Sequence, residues 1–141
     1  MVFSLVDILI SGGIIITMDP QRRIIEDGAV AIERDRIVGV GPSTDLEKRY
    51  NSRKVIEAHR KIVMPGLIDG HGHSGHGLVK SLGAYDGGIW FKACEEIYAE
   101  GSTEGFWHAE ALLTSLERLR FGTTFGCTFF GGARWLVPLL V

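Results

Sequence analysis

The sequence predicts an α/β chain in two parts: half of a small β-sandwich, then a strand–helix–strand unit of the kind found in parallel sheets and barrels. Three observations carry this. Up to residue 62, apolar residues come in short runs cut by glycine, proline or charged tips, the pattern of strands and tight turns. From Glu104 an apolar stripe recurs at helical spacing. That stripe lies between two short apolar runs, at Leu67 and Thr123, and is long enough to cross over between parallel neighbours.

The elements follow in order. Residues 7–10 and 14–18 read as two strands around a Gly12-Gly13 turn, closed by Asp19-Pro20 because proline cannot donate to a ladder. Residues 28–33 and 37–41 flank the charged tip Arg34-Asp35-Arg36 and form a hairpin. Pro42 stops it, and Ser43 or Thr44 caps a short helix over 45–50. Residues 55–57 and 62–64 add brief strands. The run 67–70 is expected to be a strand buried on both faces. A long loop leads to a helix over 89–99 and then to one over 104–121. The longer helix takes Ser102 or Thr103 as its N-cap and Gly122 as its C′ residue, with Arg118 and Arg120 in its last turn. Phe106, Ala109, Leu112, Leu113, Leu116 and Leu119 form its predicted buried stripe. Residues 123–130 read as a second buried strand. Two domains result: a sandwich portion over 1–62 and a second domain over 63–141.

Composition narrows the function classes. With 45% apolar and 23% charged residues the chain has a globular balance. A net charge of −2 argues against a dedicated nucleic-acid or anionic-membrane surface. The basic run Lys48, Arg49, Arg53, Lys54, Arg60 and Lys61 reads as solvated loops and a helix face. Cys94 and Cys127 make neither a disulfide framework nor a Cys-x-x-Cys pair, and Cys127 reads as a small core residue. The apolar start lacks a basic n-region and is interrupted by Asp7, and no stretch approaches the roughly 18 apolar residues of a membrane helix. A cytoplasmic location is expected, with no membrane and no nucleic-acid partner.

The chemistry centres on Asp69-x-His71-x-His73. Residues two apart in a strand share a face, with Cα atoms about 6.5–7 Å apart, so two imidazoles at this spacing can converge on one divalent ion. Asp69 is expected one step deeper on that face, orienting a ligand histidine from behind. Spacing alone leaves open two histidines hydrogen-bonded within a Gly-rich turn. The context favours a metal: the pair ends an apolar strand, and Gly70 and Gly72 are expected to leave room around both rings.

The run Pro65-Gly66-Leu67-Ile68-Asp69-Gly70-His71-Gly72-His73 resembles the PGLIDxHxH signature of the amidohydrolase superfamily. The upstream strands and the 32–41 hairpin look like that superfamily's N-terminal sandwich. Residues 102–124, ending Leu119-Arg120-Phe121-Gly122-Thr123-Thr124, are similar to the first long barrel helix and second strand of the cytosine-deaminase, guanine-deaminase and chlorohydrolase branch. The resemblance implies the N-terminal part of a (β/α)8 barrel, its first two βα units, preceded by half of a composite β-sandwich. It implies one divalent metal ion, zinc or iron, with His71 and His73 as ligands and Asp69 supporting them. It also implies a small-molecule substrate whose C–N or C–halogen bond is hydrolysed by metal-activated water. The binuclear hydantoinase-like and dihydroorotase-like branch is the alternative within the superfamily, and a non-catalytic chain that needs a partner is the alternative outside it. A homo-oligomeric state is left open.

The same resemblance implies that these 141 residues hold only part of the fold. Such a barrel takes about 250 residues, and the family's remaining ligands and carboxylate acid/base come from later strands. The expectation is therefore an excerpt or a prematurely ended reading frame, without activity on its own. Among lesser candidates, His76 reads either as a substrate-binding residue of the first loop or as an exposed loop histidine. His59 and His108 read as surface residues. Trp90, Phe91 and Trp107 read as core more than as pocket lining.

Overall fold

The computed structural model describes residues 4–82 and 85–129. The chain divides into two compact units, Met1–Pro65 and Gly66–Val141.

The first unit is a five-stranded sheet. β1 (Ser4–Ile16) is central; it pairs antiparallel with β2 (Ile24–Glu33), which pairs antiparallel with β3 (Arg36–Pro42). After α1 (Ser43–Arg49) the chain crosses back, so that β4 (Tyr50–Glu57) and β5 (Ile62–Val63) both lie parallel to β1. The hairpin expected at 34–36 is present: Glu33 pairs with Arg36 across Arg34-Asp35, and Arg34 takes a φ of 54°. Asp7 secures this tip by accepting the Arg34 N–H at 2.7 Å, and it also pairs with Arg53 on β4 at 3.3 Å.

Two local expectations are corrected here. Gly12-Gly13 does not reverse the chain. Gly12 adopts a φ of 81° and β1 runs on through register shifts on either side of Gly13, so the left-handed residue makes a bulge rather than a turn. Neither Ser43 nor Thr44 caps α1, which starts after Pro42 without a side-chain cap; the Ser43 hydroxyl instead accepts the Gly12 N–H at 3.1 Å. The bulge thus captures the hydroxyl that sequence reading gave to the helix. The core of the unit consists of Val6, Leu9, Ala29, Ala31, Leu46 and Tyr50, with α1 contributing Leu46. Gly39 suits the close packing there, since a Cβ would come 3.0 Å from the Tyr50 ring, whose hydroxyl donates to the Val38 carbonyl.

The second unit holds the parallel pair β6 (Leu67–His73) and β7 (Thr123–Phe129), with α2 (Gly87–Glu96), a π-helical turn (Ile97–Gly101) and α3 (Glu104–Arg120) between them. Thr103 caps α3 by accepting the Phe106 N–H, and Gly122 follows with a φ of 87°, as the sequence predicts. The first helix differs from its predicted 89–99 span. Asp86 caps it through the Gly88 and Ile89 amides, so it starts earlier and loosens into the π turn.

Burial in this unit departs from the expected pattern. Ile68 is 74% exposed and Leu67 and Phe125 are exposed as well, because only β7 flanks β6 among the described residues. On α3 the buried residues are Glu110 and Ala111, while Leu112, Leu116 and Leu119 of the predicted stripe are exposed. Cys127 is exposed rather than core, and Cys94 is the buried thiol. The basic run over 48–61 is exposed, as expected. Among the described residues no helix is long and apolar enough to cross a membrane. The apolar tail beyond Gly132 lies outside the described residues.

Candidate functional site

β6 delivers His71 and His73 at its C-terminal end, side by side. Their ring centroids are 5.2 Å apart with planes at 68°. An ion in tetrahedral coordination, about 2.0–2.1 Å from one nitrogen of each ring, would set the ring centres roughly 5 Å apart. The spacing therefore fits two ligands of one ion, and both side chains are solvent-accessible.

His76 joins them from the following loop. Its ring stacks on His73 at 5.0 Å and 13°, stacks on Tyr98 at 5.4 Å and 8°, and meets the Trp90 ring edge-on at 5.2 Å. In-plane lone pairs of near-parallel rings do not converge, so His76 forms a wall beside the pair rather than a third ligand. Burial pushes its pKa below the ordinary imidazole range, and the neighbouring His73 charge adds to this. Among the described residues no three His, Cys, Asp or Glu side chains are grouped to hold a metal. The pair supplies two nitrogens and no more.

The loop carrying His76 is held by three side chains of the following helices. The Tyr98 hydroxyl donates to the Gly75 carbonyl at 2.7 Å, the Thr114 hydroxyl donates to the Ser74 carbonyl at 3.2 Å, and the Leu78 N–H donates to Glu110 Oε2 at 2.8 Å. Glu110 has no exposed surface, and its Oε1 has no hydrogen-bond partner among the described residues. Gly75 permits the close approach, since a Cβ there would stand 2.6 Å from Trp107.

Asp69 does not continue the histidine face. The ladder shifts register between Asp69 and Gly72, where β6 carries one more residue than β7, and the two-residue alternation breaks across that bulge. The Asp69 carboxylate lies beside Gly72, bonded to Arg118 of α3 at 3.0 Å, while its other oxygen accepts the His71 backbone N–H at 3.1 Å. The room expected at Gly72 is taken: a Cβ there would meet the Arg118 guanidinium at 1.8 Å. Gly70 does face open space. His59 and His108 are exposed; His59 pairs with Glu57 at 3.3 Å. Phe91 is exposed and edges against Trp90.

Sequence reasoning missed Tyr98, Glu110 and Arg118. Glu110 gave a usable signal, as an acidic residue bordering the apolar positions of a helix. Arg118 read as a helix-end cation and gave none.

A family profile, the imidazolonepropionase-like composite domain of bacteria, matches residues 28–50, the sandwich hairpin and α1. A 5-methylthioadenosine/S-adenosylhomocysteine deaminase of Syntrophus aciditrophicus is 30% identical over 131 residues, 89% of this chain and 29% of its own length. An adenosine deaminase from Xanthomonas campestris, solved with bound zinc, superposes with a TM-score of 0.81 at 26% identity, over 91% of this chain and 30% of that one. The chain is similar to the N-terminal portion of amidohydrolase-family enzymes. It also resembles the zinc-complexed atrazine chlorohydrolase of Arthrobacter aurescens, with a TM-score of 0.68 at 27% identity over 86% of this chain and 28% of that one. It spans under a third of the length of these relatives, and what it matches is their N-terminal part. Its fold is correspondingly α/β, with a strand-rich sheet followed in sequence by a strand–helix–strand unit that matches the N-terminal part of these barrel neighbours.

Proposed function

We propose that His71 and His73 are metal ligands, holding one divalent ion, zinc or iron, for a hydrolase that cleaves C–N or C–halogen bonds of small molecules. The observation that carries this is the 5.2 Å separation of the two rings at the end of β6. In this reading residues 1–62 are the sandwich portion and residues 63–141 the first part of the hydrolase barrel. Two imidazoles suit either zinc or iron, and the remaining ligands come from outside the described residues. When bound, such an ion activates water for attack on carbon.

The chain's own residues have separate tasks. Asp69 supports the ligand strand through the His71 amide. His76, stacked between His73 and Tyr98 and edged by Trp90, borders the pair from the first loop, where it would contact a heterocyclic or amidine-like substrate. The deaminase and chlorohydrolase relatives favour this reading over the binuclear cyclic amidohydrolase one. Calorimetric titration of the purified chain with Zn2+ tests it. His71→Ala and His73→Ala should each weaken binding more than tenfold; a His71→Ala/His73→Ala double variant that binds Zn2+ as the wild type does would end the proposal.

A further inference from the structure

The strand that carries the histidines is irregular at the point where they begin. Between Asp69 and Gly72, β6 holds one residue more than β7, and a bulge of this kind re-aims the side chains that follow it. Bulges cost ladder hydrogen bonds, so something must hold this one in place. The described residues supply a single connected device. Arg118 extends from the last turn of α3 and pairs with Asp69 at 3.0 Å, with only 20% and 29% of the two side chains exposed. The other Asp69 oxygen receives the His71 N–H at 3.1 Å, inside the bulge. The guanidinium fills the notch that Gly72 leaves, and its Nη1 lies 3.3 Å from the position of a Cβ on Gly126 of β7.

We infer that Arg118 is a positioning residue for the histidine pair: threaded past Gly72, it clamps Asp69, which pins the His71 amide and fixes the direction in which His71 and His73 leave the strand. This builds on the proposed ligand role of the two histidines. In this reading Arg118 acts on the histidines through Asp69. A guanidinium suits the task because its planar fork can hold a carboxylate while lying flat against backbone, where an ammonium on a flexible stem cannot. The glycine at 72 leaves room for this contact, since a Cβ there would displace Nη2.

The test compares Arg118→Met, Arg118→Lys, Gly72→Ala and the Gly72→Ala/Arg118→Ala pair in the 141-residue chain. The His71 and His73 signals are followed by NMR, and Co2+ alone is the probe of the site. Arg118→Met should expose the His71 amide to faster exchange and weaken Co2+ binding by about tenfold, the usual effect of losing a partner behind a ligand. Arg118→Lys should recover only part of this. Gly72→Ala should match Arg118→Met in the wild-type background and add little once Arg118 is alanine, because both changes break one contact. An Arg118→Met chain with unchanged His71 amide exchange and unchanged Co2+ affinity overturns the inference, as does full additivity of the pair. If the wild-type chain binds no Co2+, the ligand reading fails by itself, and the His71 amide still decides the role of Arg118.

Discussion

Glu110 offers the sharpest test of how the histidine loop is held. Its carboxylate is wholly enclosed, accepts the Leu78 N–H at 2.8 Å through one oxygen and has no partner for the other among the described residues. Two opposing effects set the outcome. A hydrogen bond to a charged acceptor contributes about 1.5–3 kcal/mol, whereas enclosing a carboxylate with an unmatched oxygen carries a desolvation cost of similar order. Glu110→Ala removes the acceptor, leaves the Leu78 N–H without it and opens a void, so it should destabilise the chain by about 2 kcal/mol, roughly a thirtyfold change in the unfolding constant. Glu110→Gln keeps an acceptor for Leu78 and sheds the buried charge, and should fall within about 1 kcal/mol of wild type. Urea unfolding followed by tryptophan fluorescence reads both, because Trp107 borders the same loop at Gly75. Equal loss in the two variants, or no loss in Glu110→Ala, would refute the view that the Leu78 contact outweighs the cost of enclosing the acid.

Other outcomes follow from the same structure. Burial raises the Tyr98 phenol above its ordinary range, with Cys94 and Glu110 adding to the effect. A raised pKa in the folded state contributes stability below about pH 10 that is lost as pH rises further. Of the chain's three tyrosines, one should therefore form phenolate late in an ultraviolet titration of the folded chain, and Tyr98→Phe should remove that late step and flatten the alkaline loss of stability. Gly12→Ala places a side chain at a φ of 81° and against the His59 ring, and should destabilise the chain by about 1–2 kcal/mol in thermal unfolding; no change would mean that the bulge is not held in that conformation.

Local chemistry was legible wherever one short segment decides the outcome. The Arg34-Asp35 hairpin, the Thr103 cap and the Gly122 stop follow from residues adjacent to them, and the parallel pairing of β6 and β7 from a helix between them long enough to cross over. Distant partners defeated the reading elsewhere. Gly12-Gly13 suits a turn or a bulge equally, and what selects the bulge is the continued pairing of β1 with β2 on one side and with β4 and β5 on the other. On α3 the apolar spacing pointed to a leucine stripe, but the loop after His73 needs an acceptor for Leu78, and Glu110 turns inward to give it. The His71 and His73 positions were readable from their spacing, whereas the displacement of Asp69 to the Arg118 side depends on a register shift against β7 that spacing within one strand cannot reveal.

The unequal exposure of the two cysteines makes the second unit self-reporting. A thiol reagent added to the native chain finds Cys127 on β7 at once, whereas Cys94, 6% exposed within α2, becomes reactive only when that helix lifts away. The delay between the first and second equivalents of label is thus a clock for opening beside the aromatic wall, readable without adding any foreign group to the protein beforehand.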